Sequence, residues 1–170
     1  MLMTRKITIS ALFIALAMIL SYLEALIPFN FGIPGIKLGL ANLVVVIALY
    51  TLGARQAFAI SVIRILLVSV TFGNMSAMMY SMAGGLLSFL IMYLLSRSSH
   101  FSTAGVSVAG GVSHNAGQLI VAAVIVENLN LMLYIPVLII AGVLTGLLIG
   151  VIASKVIPPV RKALNNTQHR

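Results

Sequence analysis

The sequence predicts an all-α integral membrane protein, a bundle of six transmembrane helices with both termini on the cytoplasmic side. Three observations lead there. Of 170 residues, 61% are hydrophobic and only 7% are charged, whereas a soluble domain carries about a quarter charged residues on its surface. The apolar residues fall into runs of roughly the ~20 residues that a bilayer core demands, and the mean hydropathy is +1.18. The cations gather at every second turn between these runs, and cytoplasmic loops are enriched in Lys and Arg.

Each helix follows from a local signal. After a short basic start, Arg5-Lys6, residues 7–27 form a first apolar run. It is too long for a signal peptide, and no small-residue cleavage site follows. Turn formers from Pro28 to Gly35 end it, as Pro and Gly clusters do. Residues 38–52 and 56–72 are shorter runs joined at Gly53-Ala54-Arg55. They fit either two spanning helices or one re-entrant hairpin, and only the first choice lets the charge pattern close. Residues 75–95 follow the Gly73-Asn74 turn, residues 104–126 follow the polar loop Ser96 to His100, and residues 133–157 follow Glu127-Asn128-Leu129-Asn130. Pro158-Pro159 is expected to stop the last helix. The organisation is then a transmembrane domain over 1–157 and a basic cytoplasmic tail over 158–170. Of the 10 cations, Arg5, Lys6, Arg55, Arg97, Lys155, Arg161, Lys162 and Arg170 fall inside, Lys37 falls outside and Arg64 lies within the membrane. Both carboxylates, Glu24 and Glu127, fall toward the outer side.

The same composition excludes several functions. There is no Cys, which removes disulfide and thiolate chemistry, and there is no Asp. Magnesium-dependent diphosphate chemistry depends on clustered carboxylates as metal ligands, and acid–base hydrolysis depends on positioned acids. No Gly-x-x-x-x-Gly-Lys loop for a nucleotide phosphate is present. The net charge of +8 comes from cations dispersed at segment ends, a topology signal and not a nucleic-acid face. Catalytic residues, metal and cofactor are therefore all expected to be absent.

Small residues predict close packing, because helices in lipid associate through tight contact and not through the hydrophobic effect. Gly142, Gly146 and Gly150 form two overlapping GxxxG steps, and Ala83-Gly84-Gly85 and Ala109-Gly110-Gly111 serve the neighbouring helices. The first helix carries Ala11-x-x-x-Ala15, continued by Ala17, Ser21 and Ala25.

Polar groups inside such a bundle are expensive and mark function. Helical spacing puts Ser107, Gly111, His114 and Gln118 on one stripe, bordered by Asn115. Arg64 lies near the midplane, Asn42 about a turn below the outer end of the second helix, and Lys37 at the rim in Pro34-Gly35-Ile36-Lys37-Leu38-Gly39-Leu40-Ala41-Asn42. Glu24 and Asn74 share that outer layer. These groups define a pocket in the outer half, with net charge of about +1 from Lys37 and Arg64 against Glu24, suited to a neutral or anionic small molecule. Structural roles compete for each residue. Arg64 could pair with Glu24, His114 could bond across helices, Lys37 could snorkel, and Asn42 could cap its helix.

Three segments, Ile36-Lys37-Leu38-Gly39-Leu40-Ala41-Asn42, Tyr80-Ser81-Met82-Ala83-Gly84-Gly85-Leu86-Leu87-Ser88 and Val112-Ser113-His114-Asn115-Ala116-Gly117-Gln118, together resemble a bacterial family named either Gx transporter or heptaprenyl diphosphate synthase component I. The family is similar to the substrate-binding S components of energy-coupling factor (ECF) importers. That resemblance implies a multi-pass protein of the bacterial cytoplasmic membrane. It also implies Tyr80 as a further ligand residue, and docking of a transmembrane coupling subunit on Ala11 and Ala15, with separate ATPase subunits. The synthase name implies an alternative, a non-catalytic membrane accessory of isoprenoid or quinone synthesis. A helical scaffold without ligand is the third reading.

Overall fold

A computed structural model describes residues 2–26 and 39–166 of the chain. Six α-helices and one 3₁₀ turn account for these residues: α1 (Leu2–Leu26), α2 (Leu40–Thr51), α3 (Ala54–Thr71), α4 (Met75–Ser96), α5 (Thr103–Ile125) and α6 (Ile135–Asn166), with the 3₁₀ turn at Leu129–Tyr134. No strand occurs among the described residues. Helix is the form that satisfies every backbone N–H and C=O within its own segment, which hydrocarbon requires. Five helical segments are long and apolar enough to cross a membrane, and α2 is shorter. At 1.5 Å per residue its 12 residues reach about 18 Å, well short of a ~30 Å bilayer core. The stretch before it, with the breaker Pro28 to Gly35 and Lys37, lies outside the described residues.

Local chemistry sets the turns. Gly53 takes φ of 93° between α2 and α3. Asn74 caps α4 by accepting from the Ala77 N–H at 2.8 Å, and Ser102 caps α5 by accepting from the Gly105 N–H at 3.1 Å, as side-chain oxygens do for orphan donors at helix starts.

Successive helices run antiparallel. Long-range contacts fix the ends: Arg5 Nη2 donates to the Leu164 carbonyl at 2.5 Å, Arg161 Nη2 donates to the Tyr50 carbonyl at 2.7 Å, and the Tyr22 and Phe72 rings meet edge-on at 5.6 Å. In the resulting arrangement α2, α6, α5, α4 and α3 form a ring, and α1 packs outside it against α2 and α3. The two sides of the ring are joined differently. A Cβ added to Gly142, Gly146 or Gly150 of α6 would stand 2.9, 2.6 or 2.5 Å from a backbone Cα of α5, so these two helices touch backbone to backbone. Gly117 of α5 meets Gly84 of α4 in the same way. The contact of α3 with α4 is made by side chains instead, with Phe58 and Phe89 rings 5.2 Å apart.

Apolar packing is concentrated at the end that holds the chain's N-terminus. Val45 to Leu49 of α2, Ala57 and Ile60 of α3, Met92, Val106, and Ile149, Ala153 and Ile157 of α6 form one buried cluster there. On the outside, Ile7, Leu12, Val70 and Leu144 are among many large apolar side chains exposed. Such a girdle is what lipid tails cover.

One boundary departs from expectation. The last helix does not stop at Pro158-Pro159 but continues through both to Asn166, so most of the expected tail is helix. Proline removes a backbone donor and crowds the preceding turn. Here the far side of the break is anchored: Ile157 is buried, Val160 packs on the core, and Arg161 and Leu164 take the two bonds to Tyr50 and Arg5.

Candidate functional site

At the opposite end from the core, the ring and α1 together surround a cavity of about 290 Å³ lined by all six helices. Ligand sites commonly occupy roughly 300–1,000 Å³, so this one suits a small molecule. Glu24, Asn42, Arg64 and Asn74 line it, as do His114, Asn115 and Gln118 of α5. Seven polar residues, from four helices and the cap of α4, thus meet in one space. The full stripe of Ser107, Gly111, His114 and Gln118 faces the cavity. At 1.5 Å per residue, Ser107 and Gln118 are about 16 Å apart along the helix axis.

Arg64 is the central group. Its Nε and Nη2 are buried and have no hydrogen-bond partner among the described residues. Glu24, on α1, is near enough for its charge to act on the guanidinium. The Glu24 carboxylate is held by the Gly39 N–H, which donates to Oε1 at 2.5 Å. Gly39 can do so because it adopts φ of 70°, ψ of 27° at the start of α2, a left-handed conformation that glycine takes without strain. The glycine within Lys37-Leu38-Gly39 therefore positions a carboxylate at the cavity wall.

Other expectations receive simpler assignments. Asn115 is buried and its Nδ2 donates to the Leu138 carbonyl at 2.9 Å, tying α5 to α6 while the residue borders the cavity. Asn74 caps α4 and also lines the cavity. Asn42 does not cap α2: the capping position is Gly39, with no side-chain bond. Tyr80 is not part of the lining. The α4 residues that are, Ala77, Ser81, Ser88 and Met92, keep to steps of four and seven, and Tyr80 is turned about 100° from Ser81. Lys37 lies outside the described residues.

Sequence reasoning missed several lining hydroxyls, among them Ser21, Ser69, Ser81, Ser88 and Thr145. The Oγ atoms of Ser21 and Ser88 are buried without a hydrogen-bond partner among the described residues. Ser88 and Ser81 are seven residues apart, the signal that could have placed them together. On α1, Ala11 and Ala15 are exposed whereas Ala17 and Ser21 are buried. The small residues of α1 therefore form two faces and not one continuous ridge: 17 and 21 pack inward, 11 and 15 look out.

A multi-pass helical membrane protein with a polar cavity among its helices is the class that this fold and site define. Its family follows from the sequence match: the chain belongs to the heptaprenyl diphosphate synthase component I family, whose model covers residues 13–156. No curated protein and no solved structure matches it.

Proposed function

We propose that this chain is the membrane-embedded substrate-binding component of an ECF-type importer in the bacterial cytoplasmic membrane, capturing a small neutral or anionic ligand from the outer side. The observation that carries the reading is the convergence of Glu24, Asn42, Arg64, His114 and Gln118 on one cavity inside an otherwise apolar bundle. Polar groups that serve only to join helices pair off with each other or with backbone, as Asn115 does. Arg64 keeps two buried donors without a hydrogen-bond partner among the described residues, and a cost of that kind is retained where function needs it. Lys37 would complete the rim. The ligand is held without catalysis, and ATP hydrolysis belongs to partner subunits.

Ala11 and Ala15 form the docking face for the coupling subunit. Both are exposed on a helix that the bundle contacts from one side, and small residues permit close helix approach. The family's name, heptaprenyl diphosphate synthase component I, favours a second reading, an accessory that sits beside a prenyl diphosphate synthase without catalysing the reaction.

Gentle purification followed by native mass spectrometry tests both. A bound small molecule, lost when Ser81→Phe fills the cavity, is the expected result, together with co-purification of an ATPase-bearing complex. Ala15→Trp should release that complex and leave the small molecule in place. Co-purification of a prenyl synthase instead, undisturbed by Ala15→Trp, would overturn the importer reading in favour of the accessory.

A further inference from the structure

Arg64 offers more than a positive charge. The two nitrogens left without partners, Nε and Nη2, lie on the same edge of the guanidinium plane. Their N–H bonds point nearly parallel, at a spacing that matches the two oxygens of a carboxylate or the edge of a phosphate. A neutral hydroxyl or amide oxygen would satisfy one of the pair and leave the other buried and unpaired, whereas the large majority of buried side-chain polar atoms in native proteins have a partner. The free edge belongs to a residue that lines the cavity. We infer that the cavity takes a small amphipathic molecule whose head is a singly charged oxoanion, bound side-on by Nε and Nη2 of Arg64, a carboxylate being the planar match.

The number of charges on the head follows from the rest of the wall. Among the described lining residues Arg64 is the one Lys or Arg and Glu24 the one carboxylate, and Lys37 at the rim, as proposed above, would bring the net charge to about +1. One added negative charge is answered by the Arg64 fork. A diphosphate brings more, and the described residues supply neither a second Lys or Arg at the cavity nor a cluster of three or more His, Cys, Asp or Glu to hold a metal ion. Beyond the head, the lining also includes Val46, Ile65 and Met92 along with Ser21 and Ser88, which suits a short, mostly apolar body. Small monocarboxylates combine these features.

This inference rests on the cavity being a ligand site, and the test separates the two. Thermal midpoints of the purified protein are recorded with acetate, butyrate, hexanoate, inorganic phosphate and pyrophosphate, against chloride at equal ionic strength. The expected result is stabilisation by butyrate or hexanoate that saturates with concentration, with pyrophosphate binding no more tightly. Arg64→Gln should abolish the shift. Arg64→Lys, which keeps the charge but not the two-pronged geometry, should weaken binding at least tenfold. Unaltered carboxylate affinity in Arg64→Gln, a pyrophosphate preference of tenfold or more, or no shift with any oxoanion would each overturn the inference. A co-purifying neutral molecule that Ser81→Phe expels and Arg64→Gln retains would overturn it while leaving the cavity a ligand site.

Discussion

Gly39 turns its N–H toward Glu24 by holding φ at 70°. Alanine at that position meets the left-handed penalty of ~1–2 kcal/mol, and asparagine tolerates the conformation better. Gly39→Ala should therefore lower the unfolding free energy by about 1–2 kcal/mol and Gly39→Asn by less, read from thermal or denaturant unfolding in detergent; equal losses would show that the angle is not what matters. Residues of this kind divide into those the sequence exposes and those it hides. Arg64, His114 and Gln118 stand out because charge and amide groups are rare among Leu, Val and Ile. Serine does not stand out, since its hydroxyl can satisfy itself on the carbonyl a turn back, as Ser69 does on Ile65 at 2.8 Å. Whether a membrane serine closes on its own helix or opens on a cavity depends on neighbours far away in the chain. Spacing alone places Ser21 in a packing run and gives Ser88 no role for that reason, and Tyr80, at the head of its motif, is not among the residues that line the cavity.

Among the helices, α5 and α6 are held by their glycines. The small-residue steps were legible from spacing alone, because only Gly admits backbone at 2.5–2.9 Å from where a Cβ would stand. Gly146→Leu should push α6 off α5 and cost several kcal/mol, beyond the ~1–3 kcal/mol of ordinary overpacking, since the obstructing atom is Val108 Cα at 2.6 Å and not a movable side chain. Gly105→Ala is the control: its nearest neighbour would be Ser102 Oγ at 3.6 Å, and it should be neutral or stabilising by up to ~1 kcal/mol through helix propensity. Similar losses from both would contradict the backbone contact. The length of α6 was not legible. Two consecutive prolines end most helices, and this one continues because bonds from Arg5 and Arg161 secure it to α1 and α2; such long-range ties leave no local trace in sequence.

The bundle as a whole has a polar end and a filled end. Alternating helix direction places Asn74 and Asn128 at the cavity end and Ala54 and Ser98 at the other, which also carries Arg5, Arg55, Arg97 and Lys155. The chain has no native Cys, so single cysteines report cleanly. Asn74→Cys and Asn128→Cys should react with an impermeant thiol reagent on intact cells, and Ala54→Cys and Ser98→Cys should not; reaction of Ala54→Cys without Asn74→Cys would make α2 and α3 a re-entrant pair. The split between ends has a further consequence. Val45 to Leu49, Ile60, Val106 and Ile157 pack as a buried apolar floor beneath the cavity. Under the importer reading proposed above, a ligand taken in at the Glu24 end would reach the other side only if the bundle tipped over or parted, and the work for that would come from another protein.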